Sequence, residues 1–126
     1  MNKPLRGVVA CHGTLADALI DATERISGVT GVLMPVTNTD CDRGLIERRI
    51  ADAVGEGPAI VFTDMASGSC LIAAATLARR EAGGKVAVVT GVNLAMLIDF
   101  VFHRELSLAD ATARVSESGK KAIQVP

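Results

Sequence analysis

Four short apolar runs, each followed by a stretch of helical periodicity, constrain this chain more than any other feature of it. The runs are "GVVAC" at 7–11, "VLMPV" at 32–36, "AIVFTD" at 59–64 and "VAVVTG" at 86–91. The first is apolar throughout, the pattern of a strand buried on both faces, as in a parallel sheet. Pro35 in the second cannot donate a ladder hydrogen bond, which predicts an edge strand. Between the runs, Leu15, Ala18, Leu19, Ala22 and Ile26 recur at helical spacing until Gly28, and Leu45, Ile46, Ile50, Ala53 and Val54 do so over 43–54. Further helices are predicted over 69–80, closing at Gly83-Gly84, over 94–103, and from Ser107 to about Gly119. Thr14 with Asp17, and Ser107 with Asp110, have the spacing of capping boxes. The tail "AIQVP" at 122–126 reads as a short strand.

Strand and helix alternating in this way predict an α/β fold, an open three-layer sandwich with helices on both faces of a four-stranded parallel sheet. An edge position for strand two gives the order 2-1-3-4. The chain then reverses direction between strands one and three. Ligands of open α/β sheets bind at that switch point, beyond the carboxyl ends of the strands. At 126 residues the chain suits one domain spanning 1–126, large enough to bury a core without disulfide or metal staples.

Composition narrows the function. A net charge of −1, with three Phe and no Tyr or Trp, gives neither the basic surface nor the stacking platforms of a nucleic-acid binder. No apolar run approaches the roughly 20 residues of a membrane span. The richest, 92–102, is interrupted by Asp99, and no leader is expected ahead of the first strand. Cys11, Cys41 and Cys70 are odd in number and lack CxxC spacing, so neither a disulfide framework nor a zinc site is expected. A reduced, cytoplasmic protein without metal or cofactor follows as the expectation.

His12 comes just after strand one and Asp64 ends strand three, so the two should face each other across the switch point. Gly68 and Ser69 open the third helix there, and Gly13 and Thr14 lead into the first. Helix N-termini carry unpaired N–H groups and a partial positive charge that favour anions. A carboxylate bonded to one ring nitrogen fixes the tautomer and leaves the other nitrogen free to attack phosphorus. It must lie behind the ring: about 4 Å from a phosphoryl charge it costs about 4 kcal/mol at an effective dielectric near 20. Helix-terminus effects of roughly 0.3–1 kcal/mol cannot offset that. A lone histidine at a strand end is by default a satisfied polar group, and an aspartate there a helix cap. Their meeting on adjacent strands favours a histidine that takes and gives up a phosphoryl group. A non-catalytic module holding a phosphorylated small molecule at the same helix N-termini remains an alternative. His103, next to Arg104 and Glu105, reads as structural.

At these residues the chain resembles the IIA component of the mannose-type bacterial sugar phosphotransferase system. "GVVACHGTLADALIDATERISG", "IVFTDMASGS" and "VVTGVNLAML" are similar to three segments of that family in the same order, and the likeness covers nearly the whole chain. The resemblance implies that His12 is phosphorylated by the histidine-containing phosphocarrier protein and passes the group to a IIB component during sugar uptake. It implies that Asp64 bonds the imidazole and that Ser69 supplies the hydroxyl after the glycine turn. It also implies a homodimer in which a C-terminal antiparallel strand is exchanged between subunits. Membrane contact would come only through a transporter complex. The chain departs from the family pattern at Cys70, Ile72 and Ala95, on the rim of the site. A regulatory phosphocarrier without sugar transport is the second reading.

Overall fold

The computed structural model describes residues 3–81 and 84–126. In chain order the elements are β1 (Arg6–Cys11), α1 (Leu15–Ser27), β2 (Leu33–Thr37), α2 (Arg43–Val54), β3 (Ala59–Thr63), α3 (Ser69–Arg80), β4 (Val86–Val89), α4 (Leu94–Val101) and α5 (Leu108–Lys121). The strands form one parallel sheet of order β2-β1-β3-β4, as the sequence predicts.

The two central strands are apolar because both of their faces are covered. Val8, Val9, Ala10, Cys11, Ile60, Val61 and Phe62 are fully buried. Alternate side chains feed two separate cores. Val9, Ile60 and Phe62 pack with α1, α4 and α5, where Phe62 meets Phe100 edge to face with ring centroids 5.4 Å apart. Val8, Ala10 and Val61 pack with α2 and α3 through Ile46, Ile50, Ala73 and Ala74. Gly7 leaves no room for a side chain, since a Cβ there would lie 2.6 Å from Leu33 Cδ2 and 2.7 Å from a Phe100 ring carbon. Pro35 pairs opposite Val9 on the edge strand β2, where its missing N–H faces away from β1's ladder.

Several expectations need correction. Thr14 and Asp17 form no capping box. Thr14 has φ −98° and ψ 10°, and its side chain makes no capping bond. An N-cap hydroxyl reaches back over the first turn from extended backbone, the conformation of Ser107, Asn93 and Asp42, each of which does cap its helix. Gly119 does not end the last helix, which runs on to Lys121. Gly119 is buried inside α5, and a Cβ there would collide with Met96, so this glycine serves packing against α4 rather than helix termination. Helix α3 ends at Arg80 with Glu81 as its cap, and Gly83 of the expected stop lies outside the described residues. Residues 122–126 form no strand within the single chain and are exposed, Val125 at 98%.

Candidate functional site at the β1–β3 switch point

His12 is the first residue beyond β1, and Asp64 the first beyond β3. The register that sets Ala10 against Thr63 brings the next residues of both strands to one corner. There a single oxygen, Asp64 Oδ2, accepts from the His12 backbone N–H and lies 2.9 Å from His12 Nδ1, both bonds 2.9 Å long. An ionised carboxylate can only accept, so the ring proton belongs on Nδ1. Nε2 is thereby left with its lone pair pointing away from Asp64. The His12 side chain is 42% exposed and that of Asp64 11%. Burial works against the Asp64 charge, but the His12 backbone N–H, its ring and its charge outweigh that and hold the carboxyl below its ordinary value. The other oxygen, Oδ1, is buried and has no hydrogen-bond partner among the described residues. The negative charge is therefore compensated by protein donors mainly through His12.

In front of the ring lies the start of α3. Gly68, its N-cap, has φ +97° and ψ −177°, a conformation essentially reserved for glycine. A Cβ on it would stand 3.7 Å from His12 Cε1 and 3.8 Å from Nε2, in van der Waals contact, so the start of α3 lies directly against the ring. With no side chain at the cap, the first-turn N–H groups of α3 have no capping side-chain acceptor. The same holds at α1, behind Gly13 and Thr14. By contrast α2, α4 and α5 are capped by Asp42, Asn93 and Ser107. The two helices beside His12 are thus the two without a capping side chain; Leu15 N–H of α1 bonds the His12 carbonyl, and the other first-turn N–H groups have no side-chain cap to compete with an anion.

Sequence reading missed two residues at the end of β2, its last residue Thr37 and the next, Asn38. Thr37 Oγ1 donates to the Gly13 carbonyl at 2.8 Å, fixing the turn in which Gly13 takes φ +58°. Asn38 Nδ2 lies 3.4 Å from Ser69 Oγ. The signal was available: β2 neighbours β1, so whatever follows β2 emerges at the same edge of the sheet.

The remaining candidates are not drawn into the chemistry. His103 Nδ1 bonds the Asp99 carbonyl at 2.7 Å, one turn back on α4, a structural role. Burial, then the charges of Asp64 and Cys70, push the Cys11 thiol up to about 12. Burial, then Asp64, raises Cys70 as well. Neither thiol is a nucleophile near neutral pH. No cluster of three or more His, Cys, Asp or Glu suited to a metal occurs among the described residues, and none of their helices is long and apolar enough to cross a membrane. Leu15, Met65 and Ile72 are exposed around the corner and give it an apolar rim.

The arrangement offers an oriented imidazole with one free nitrogen, a buried carboxylate behind it and amides without a side-chain cap in front. It can hold a phosphoryl group on the free nitrogen while keeping the carboxylate on the far side.

The family model described as "PTS system fructose IIA component" matches residues 7–116. No curated protein matches the chain in sequence. Among solved structures, the phosphotransferase system component EIIA of Streptococcus agalactiae superposes with a TM-score of 0.89 at 20% identity, covering 96% of each chain. The mannose/sorbose specific IIA subunit of Enterococcus faecalis does so with 0.84 at 20% identity, over 98% of this chain and 96% of that one. A sigma-54 interaction domain protein of Enterococcus faecalis shares the fold with 0.77 at 16% identity, over 97% and 95%.

Proposed function

We propose, for a chain that belongs to the PTS system fructose IIA component family, that His12 is a phosphoryl carrier in a bacterial sugar phosphotransferase system. The observation that carries this reading is the His12 ring held through Nδ1 by Asp64, with Nε2 open to the uncapped start of α3. The donor is the phosphohistidine of the histidine-containing phosphocarrier protein. The Nε2 lone pair forms the new N–P bond, and the donor's ring nitrogen leaves with the electron pair of the old one. The Nδ1 proton stays in place. The phosphorylated ring becomes cationic against Asp64, which stabilises it, and the phosphoryl oxygens lie towards Gly13, Thr14, Gly68 and Ser69. The step then runs in reverse onto a IIB component, for sugar uptake. One domain, 1–126, acting in the cytoplasm as a phosphotransferase, fits this reading.

The exposure of His12 supports transfer between proteins over retention of a small phosphorylated ligand, because the acceptor nitrogen must reach another protein's ring. A second, regulatory reading draws support from the likeness to a sigma-54 interaction domain protein and from the altered rim at Cys70, Ile72 and Ala95. The decisive experiment supplies phosphoenolpyruvate, the first enzyme of the system and the phosphocarrier. An acid-labile mass gain of one phosphoryl group is expected, and it is absent in His12→Ala. Label retained by His12→Ala would move the acceptor elsewhere, with His103 the next candidate. No label on the wild type would favour the small-molecule module. Onward transfer to a IIB component separates transport from regulation.

A further inference from the structure

Ser69 opens α3 beside the acceptor corner, and its hydroxyl is met from two sides. From the loop after β2, Asn38 Nδ2 donates to Ser69 Oγ over 3.4 Å. That loop is fastened to the sheet, because the Asn38 N–H donates to the Cys11 carbonyl at the end of β1. From within α3, the Cys70 thiol adjoins the same hydroxyl, and burial keeps the proton on its sulfur. A hydroxyl has one hydrogen to give and two lone pairs to fill, an amide nitrogen only donates, and a protonated thiol accepts poorly. With the Asn38 amide on its oxygen, Ser69 keeps its own hydrogen, and the sulfur beside it is the protonated Cys70 thiol, a weak acceptor that a phosphoryl oxygen outcompetes. Its neighbour Gly68 is the residue whose Cβ would stand 3.8 Å from His12 Nε2.

We propose that Asn38 is a positioning residue for phosphoryl transfer: by donating to Ser69 Oγ it commits that oxygen as an acceptor and reserves the Ser69 hydrogen for a phosphoryl oxygen carried on His12 Nε2. The inference rests on His12 as the phosphoryl acceptor. Asn38 touches neither the ring nor the phosphoryl group and acts through Ser69 alone. An aspartate in its place would only accept, would capture the Ser69 hydrogen, and would bring a like charge towards the phosphoryl oxygens.

The test measures single-turnover phosphoryl transfer from the phosphocarrier, together with the 31P chemical shift of the phosphohistidine, with unfolding midpoints as a check on the fold. Ser69→Ala is expected to slow transfer about 10- to 100-fold, the loss of a hydrogen bond to a charged group. Asn38→Ala should slow it about three- to tenfold, the loss of a neutral one. Asn38→Asp should be slower than Asn38→Ala. Asn38→Ala introduced into Ser69→Ala should add no further loss, and both single variants should move the 31P resonance. Wild-type rate and resonance in Asn38→Ala, or a full additional loss in the Ser69→Ala background, would overturn the role of Asn38 while leaving His12 as acceptor. A wild-type protein that takes no label at His12 would overturn both.

Discussion

One oxygen of Asp64 holds His12 at two places, the backbone N–H and ring Nδ1, each at 2.9 Å. The same contact that fixes the ring's rotation also fixes the peptide from which the ring projects. Neither the orientation nor the tautomer of the imidazole is then left to solvent. The buried Oδ1, without a hydrogen-bond partner among the described residues, shows how closely the carboxylate depends on this one residue.

Asp64→Asn should fold, because an amide can keep its oxygen towards His12 and place its NH2 where Oδ1 now lies. Transfer to His12 should fall about 10- to 100-fold with loss of the charge-assisted bond. The pH dependence has a definite sign. The Asp64 carboxyl titrates in the folded protein below its ordinary 3.8. The stability it confers is therefore complete above that ordinary value and is lost as pH falls through the lower, folded one. Urea unfolding at neutral pH and near pH 3 should show the wild type's advantage over Asp64→Asn shrinking in acid. An advantage independent of pH would mean that the His12 contacts do not stabilise the carboxylate.

Gly68→Ala separates strain from obstruction. An alanine held at φ +97° should lower stability by about 1–3 kcal/mol. Its methyl group would also occupy the space 3.8 Å from Nε2. Transfer should therefore drop by more than the loss of folded protein accounts for. Calorimetry and transfer kinetics on one sample decide the matter. A normal rate in the folded fraction would place the phosphoryl group away from the start of α3.

The tail 122–126 has no place on its own sheet, and β4 has a free outer edge. A groove of about 440 Å³ beside that edge is lined by Val88, Asn93, Met96, Lys120 and Ile123 among others. Unpaired edges are normally covered. In the dimer that the family resemblance implies, the partner's tail would cover this edge, the same contact made twice about a two-fold axis. Deleting residues 123–126 should convert a dimer into a monomer, or an aggregating chain, by light scattering. A truncated protein that stays dimeric would remove the tail as the dimerising element.

Sheet order was legible in the sequence because both of its determinants are local. Uninterrupted apolar runs marked the central strands, and Pro35 marked an edge. His12 and Asp64 were legible for the same reason: each directly follows a strand whose place was already known. Thr37 and Asn38 were not, since their importance lies in what they reach across the corner, Gly13 and Ser69, and no local pattern announces a side chain's distant partner. Thr14 misled in the opposite direction. Its spacing to Asp17 fits a capping box, but the backbone turn imposed at Gly13 denies it the extended conformation that capping requires. Gly119 looked like a helix stop because Met96, the residue that requires a glycine there, belongs to another helix.

The His12–Asp64 contact spans 52 residues of chain, and Ser69 and Asn38 meet across 31. No hairpin or single βαβ unit contains the corner. Asp64 reaches His12 only when β3 docks beside β1, after the chain has passed out through β2 and α2 and come back. Such long-range pairing is the slow part of folding a parallel sheet. Closure of the central seam and appearance of the reactive corner are consequently one event. A nascent or partly unfolded chain in which β3 has not docked beside β1 has a histidine but no oriented imidazole.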